Sequence, residues 1–214
     1  MQLSRRVLAE GLGAFFLVAI VVGSGIAAQR LSPGNVGLEL LENSTATGAG
    51  LAALILTFGS VSGAHFNPVV TLADRSLRAG ESLAYIGAQI AGAILGAIAA
   101  DVMFGLHAVV WSTHTRSSGA LWFAEVVATF GLLVVIAGAP KQYASFAVGG
   151  YIAAAYWFTS STSFANPAVT IGRMFTDTFA GIRPSSAPAF IAAQLVGGGL
   201  AIVVTRFLFT KADA

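Results

Sequence analysis

Two Asn-Pro pairs, Asn67-Pro68 and Asn166-Pro167, constrain this chain more than any other feature. Each follows an apolar stretch long enough to span a membrane, and each opens an apolar run too short to do so. The first reads Ser62-Gly63-Ala64-His65-Phe66-Asn67-Pro68-Val69-Val70-Thr71-Leu72, and the second Ser163-Phe164-Ala165-Asn166-Pro167-Ala168-Val169-Thr170-Ile171-Gly172. Asparagine as N-cap with proline at the first helical position marks a helix start. A helix that starts there is too short to cross the bilayer, which leaves one of its termini at membrane depth. Irregular backbone at that depth survives only where protein or a water-filled cavity satisfies its polar groups. One Asn-Pro is an ordinary cap; two, each followed by an apolar residue, a Val and a Thr, are a pattern.

Composition supports a membrane setting. Of 214 residues, 56% are hydrophobic and 9% charged, against about 25% charged in a soluble domain. A soluble chain still needs a charged surface, so a lipid-facing exterior explains the deficit. Several segments of roughly 20 residues carry at most one ionisable group, enough for a ~30 Å hydrocarbon core. The chain has no cysteine, which excludes a disulfide framework, a thiol nucleophile and a zinc–thiolate site. A net charge of +2 gives no footing for nucleic-acid binding. Met1 to Arg6 is a basic flank, and Val7–Ala28 is too long for a signal-peptide core, so it reads as a retained first span.

Six spans are expected: Val7–Ala28, Thr47–Ser62, Ser82–Phe104, Ala120–Ala139, Ala144–Ser161 and Ala187–Phe209. An even number puts both termini on one side. Arg5, Arg6, Arg75, Arg78, Lys141, Arg206 and Lys211 then lie with the termini, and Arg30, Arg116, Arg173 and Arg183 lie opposite. The positive-inside rule makes the termini cytoplasmic.

The two halves match. Glu10-Gly11-Leu12-Gly13-Ala14-Phe15-Phe16 resembles Glu125-Val126-Val127-Ala128-Thr129-Phe130, and Tyr85 to Ile90 resembles Phe190 to Leu195. Both halves run Glu span, span, Asn-Pro half-helix, Gln span. Three spans per copy turn the second copy upside down, so one channel domain over 1–214 is expected, with inverted repeats at about 1–106 and 118–210. The half-helices then meet N-terminus to N-terminus near the midplane. Each terminus carries roughly half a positive charge, and the Asn67 and Asn166 amides add donors. A neutral solute with lone pairs is welcome there; a cation is not.

With these residues in view, the chain resembles the major intrinsic protein family of aquaporins and aquaglyceroporins over nearly its whole length. Ser62 to Val69 is similar to the family's first signature, with Val69 where Ala is usual, and Asn166-Pro167-Ala168 matches its second. The resemblance implies an all-α membrane protein of six spans and two re-entrant half-helices, assembled as a homotetramer with one pore per subunit. It implies no cofactor, no metal and no catalysis. The partners expected are small neutral solutes, water and the lipid bilayer of a bacterial inner membrane. It also implies that Glu10 and Glu125 accept hydrogen bonds from the re-entrant loops, with Gln89 and Gln194 bracing helices or loops.

By the family's spacing, the constriction falls on Thr47, Ala154, Ser163 and Val169. The usual filter arginine is replaced by Val169, and the aromatic ring and histidine of water-selective members are absent at Thr47 and Ala154. A wide, arginine-free filter resembles that of bacterial aquaporins associated with arsenic resistance. Thr170, where glycerol facilitators carry Asp, fits that branch poorly. Arsenous acid, uncharged at neutral pH and glycerol-like in shape, is therefore the favoured solute. Arg173 lies seven residues after Asn166, within about 20° of its face and ~6 Å beyond Val169. It is expected in the vestibule, solvated or paired with Asp177, with a reach back to the filter as the alternative.

His65 stands two residues before Asn67, either as a hydrogen-bonded structural side chain or as a cytoplasmic gate. His107 and His114 form a weak metal pair without a carboxylate or Cys in nearby sequence. Gly87, Gly92 and Gly96, among 25 glycines, read as helix-packing residues. A secondary transporter using Glu10 and Glu125 for ion coupling is the rival class. An intramembrane enzyme lacks a nucleophile–base pair or a metal cluster. A water-only channel is the nearest alternative.

Overall fold

In the computed structural model, residues 1–209 are described, and among them are eight α-helices. They are α1 (Leu3–Leu31), α2 (Val36–Ser62), α3 (Pro68–Ala73), α4 (Ala79–Met103), α5 (Gly119–Gly138), α6 (Ala144–Phe158), α7 (Pro167–Gly172) and α8 (Ala187–Leu208). Short 3₁₀ turns at Lys141–Tyr143 and Arg173–Phe175 precede α6 and follow α7. Lys211 and the end of the second repeat at 210 lie outside the described residues. By length and composition, α1, α2, α4, α5 and α8 can each cross a membrane.

The expected spans survive with two changes. The second helix starts at Val36, eleven residues before the expected Thr47. Its polar opening turns hid it. Asn35 caps it by accepting from Leu38 N–H at 3.1 Å, and Glu39, Asn43 and Ser44 are buried rather than solvated. Asn43 donates to Val21 O at 2.9 Å and Ser24 Oγ at 2.8 Å, tying α2 to α1. The fifth span is shorter than expected: α6 ends at Phe158, not Ser161, with 15 residues, about 22 Å of helix. Beyond it the backbone turns into the re-entrant loop, where Thr162, Ser163 and Ala165 have positive φ.

Helix pairing is duplicated. In one half α1 packs on α4 and α2, and in the other α5 packs on α8 and α6. Backbones approach closely where a side chain would not fit. A Cβ on Gly92 would collide with Gly11 O, one on Gly96 with Phe15 O, and one on Gly197 with Val126 O. Gly87, expected among the packing residues, instead faces outward with nothing near it in this chain. On the central seam α2 meets α6, and a Cβ on Gly48 would lie 2.8 Å from Gly149 O. The half-helices cross over: α3 packs on α8 as well as α4, and α7 on α4 as well as α8.

Candidate functional site

Asn67 and Asn166 cap the half-helices and also join them. Asn67 Oδ1 accepts from Val69 N–H at 2.9 Å, while its Nδ2 donates to Ala165 O at 2.8 Å. Asn166 Oδ1 accepts from Ala168 N–H at 2.9 Å and Val169 N–H at 3.2 Å, while its Nδ2 donates to Phe66 O at 2.8 Å. A side-chain amide has two N–H groups. One on each asparagine therefore has no acceptor among the described residues, and both side chains line a cavity of about 450 Å³. Pro68 and Pro167 occupy the first helical positions, where no N–H is needed.

The loops ahead of the caps are strained in register. Ala64 and Phe66 have φ of 53° and 49°, and Ser163 and Ala165 have 49° and 48°. Such values are costly for residues with a Cβ and persist only under outside constraint. Two buried carboxylates supply it. Glu10 accepts from Ser62 Oγ (2.5 Å), His65 N–H (3.0 Å), Phe66 N–H (2.7 Å) and Gln89 Nε2 (2.7 Å). Glu125 accepts from Ser161 Oγ (2.6 Å), Phe164 N–H (2.9 Å), Ala165 N–H (2.8 Å) and Gln194 Nε2 (2.6 Å). Gln89 and Gln194 also donate to Thr71 and Thr170, each at 2.9 Å, locking the half-helices to α4 and α8.

Val69, the departure from the first signature, is accommodated by a matching departure opposite. A Cβ on Gly198 of α8 would collide with Val69 Cγ1. In the register of the repeat, Gly198 corresponds to Ala93 of α4 and Val69 to Ala168, so the other half carries alanine at both positions. Side-chain volume has moved from one partner to the other.

Since the half-helix N-termini meet, their far ends mark the two ends of the cavity. At one end stand Asp74, Arg75 and Arg206, and at the other Tyr156 and Arg173. His65 lines the former end, with Nδ1 3.2 Å from Thr71 Oγ1 and Nε2 3.4 Å from Asp74 Oδ2. Its ring is thus held on both sides. Between the ends the wall is largely aliphatic, including Leu17, Val21, Leu51 and Val148.

Of the four expected constriction residues, Thr47, Ser163 and Val169 line the cavity. Ala154 does not: it lies on the exposed side of α6. Spacing from Asn166 picks the wrong face, because the cavity face runs Val148, Ile152, Tyr156 at four-residue intervals. Position 154 is turned about 200° from 152. Tyr156, missed from sequence, donates to Thr47 Oγ1 at 3.3 Å. The 148–152–156 apolar spacing was the available signal.

Arg173 requires a second correction. It does not pair with Asp177, which accepts instead from Thr113 N–H at 2.7 Å and faces His114 at 3.7 Å. Arg173 is 3% exposed and lines the cavity, its Nε donating to Ala180 O and its guanidinium carbon lying 3.4 Å from the Phe164 ring centroid. The pathway wall is therefore not free of arginine, although position 169 is valine.

The sequence profile of the major intrinsic protein family matches residues 1–159. The chain is 46% identical over 217 residues to the aquaglyceroporin AqpS of Rhizobium meliloti (strain 1021), covering 99% of this chain and 93% of that one. It is 31% identical over 244 residues to aquaporin AqpM of Methanothermobacter marburgensis, covering 98% and 99%. The X-ray structure of the aquaglyceroporin from Plasmodium falciparum shares the fold, with a TM-score of 0.72 at 22% identity over 99% of this chain and 97% of that chain. The duplicated helix pairing, the crossed half-helices and these matches lead to one conclusion: the chain is a membrane channel protein of the major intrinsic protein family.

Proposed function

We propose that the chain is a passive channel for small uncharged solutes, chiefly neutral metalloid hydroxides such as arsenous acid and small polyols, together with water. One observation carries this reading. Asn67 and Asn166 each keep one amide N–H without a protein acceptor, side by side on the wall of a continuous cavity. A hydroxylated neutral solute accepts from both, while a cation finds donors where it needs acceptors. The small side chains of Thr47, Ser163 and Val169 favour solutes larger than water, and AqpS, the relative at 46% identity, is described as an aquaglyceroporin.

The same reading makes 1–214 one channel unit of two inverted repeats, in a homotetramer in a bacterial inner membrane with both termini cytoplasmic. The uneven distribution of Lys and Arg supports that orientation. Glu10 and Glu125 act as loop scaffolds, since each carboxylate already accepts four hydrogen bonds and is fully buried. That saturation disfavours an ion-coupling role. His65, held between Thr71 and Asp74, is a structural side chain at the cytoplasmic mouth and the residue there best placed to gate it.

A water-selective channel is the second reading, favoured by the bulk and charge that Tyr156, Phe164 and Arg173 bring to the wall. Stopped-flow light scattering on proteoliposomes separates the two. Glycerol and arsenous acid flux that Val169→Arg suppresses supports the wide filter; water flux alone, insensitive to Val169→Arg, overturns it.

A further inference from the structure

A buried arginine ordinarily has its donors satisfied. Arg173 does not. Nε is bound to Ala180 O, but neither Nη has an acceptor among the described residues, and no carboxylate there pairs with it. Neither Nη is sealed within protein, so these donors open on the cavity that the side chain lines. On the same wall, Ser163 Oγ is buried and also lacks a partner. Val169 stands four residues before Arg173, on the same helical face. Its short side chain leaves room for the arginine to lean back towards the N-terminus, as helical side chains do.

The guanidinium is clamped from outside the half-helix. Phe164 lies under it at 3.4 Å. Arg116, from the α4–α5 connection, lies 5.1 Å from the same ring centroid and donates to Gly181 O at 3.0 Å and Phe179 O at 3.3 Å. Thus one ring and one three-residue stretch, 179–181, hold both arginines.

We propose that Arg173 is the specificity-determining cation of this channel. Its guanidinium, displaced four residues along the chain from position 169, presents Nη donors to solute oxygens beside Ser163 Oγ and repels cations. Arg116 is a positioning residue that acts through the 179–181 stretch. The proposal rests on the channel reading and deepens it by naming the group that discriminates.

The test uses the full chain in proteoliposomes: wild type, Arg173→Val, Arg173→Lys and the Val169→Arg/Arg173→Val double variant. Trapped sodium- and proton-sensitive dyes report leak, and light scattering reports the glycerol-to-water flux ratio, both per folded channel. Loss of a charged donor of ordinary strength corresponds to about tenfold or more. Arg173→Val is expected to raise sodium leak by about that factor and to change the flux ratio. The double variant is expected to restore exclusion. Arg173→Lys, which keeps the charge but not the planar fork, should stay sodium-tight while its flux ratio moves.

A folded Arg173→Val with wild-type leak and ratio overturns the proposal. If that variant does not fold, an unchanged ratio in Arg173→Lys overturns it. Wild type that passes water alone defeats the wide-filter reading and leaves the leak comparison to decide Arg173. Wild type that passes no neutral solute overturns both.

Discussion

Asn67 Nδ2 donates to the carbonyl oxygen of Ala165 at 2.8 Å, a contact spanning 98 positions of the chain, and Asn166 returns it to Phe66 at the same distance. The reciprocal pair makes each half-helix cap part of the other half's loop. It also orients both amides, so the N–H left over on each is fixed rather than free to rotate.

Asn67→Asp should therefore damage selectivity more than fold. A carboxylate still accepts from Val69 N–H but cannot donate to Ala165 O, and it places a negative charge on the cavity wall. Sodium leak in proteoliposomes should rise by about tenfold or more while polyol flux falls. Unchanged sodium tightness would show that the asparagine pair does not set the barrier.

Glu125→Gln should destabilise the second loop. Whichever carboxylate oxygen the amide NH2 replaces, it faces either the Ser161 hydroxyl and Phe164 N–H or the Ala165 N–H and Gln194 amide, leaving at least one buried donor unsatisfied. A loss of about 2–4 kcal/mol is expected, read as a lower unfolding midpoint by intrinsic tryptophan fluorescence. If the variant keeps wild-type stability but loses flux only when a proton gradient is imposed, Glu125 is a coupling group after all.

Gly198→Ala and Val69→Ala should show strong mutual compensation. The added methyl collides with Val69 Cγ1, costing about 1–3 kcal/mol as overpacking. Combining it with Val69→Ala, which restores the volume arrangement of Ala93 and Ala168, should recover most of that loss. Additive effects in the double-mutant cycle would show that the two side chains do not share the space.

Ile152→Trp and Ala154→Leu discriminate the cavity face of α6 from its outer face. The indole fills space beside Thr47 and Tyr156 and should cut glycerol flux by about tenfold or more. Ala154→Leu should leave the glycerol-to-water ratio unchanged. The opposite ranking would restore Ala154 to the constriction.

The tie between the α4–α5 and α7–α8 connections should loosen in acid. Hydrogen bonds from the Thr113 backbone, ahead of the Thr113 hydroxyl and the nearby His114, hold the Asp177 carboxyl below its usual range. A depressed folded pKa means that the tie contributes fully above the unfolded value, about 3.9. The contribution is lost as pH falls through the lower folded value. Protection of the Thr113 amide, corrected for intrinsic exchange, should therefore hold at pH 5 and drop below about pH 4. Protection that is flat across this range would remove Asp177 as the cause.

The membrane-spanning architecture was legible because it depends on local chemistry. Apolar length, the scarcity of charge, Asn-Pro caps and the paired Glu and Gln positions are all properties of short segments. The start of α2 was not legible, because Glu39, Asn43 and Ser44 look like a solvated loop until their burial is known, along with the partners of Asn43 on α1 and of Ser44 on α6. Ala154 failed for a related reason. A distance counted along the chain carries no information about rotation across a turn whose length and φ values are particular to this protein.

By itself, then, the sequence determined the six spans, the two half-helices, their internal repetition and the asparagines at their tips. Tertiary structure alone decided which side of α6 meets the cavity, which carbonyls orient the asparagine amides, and where the Arg173 guanidinium points. Spans and caps are encoded by neighbours within a few residues. The pathway wall is assembled from side chains about 100 positions apart, and their directions follow from packing that no single segment contains.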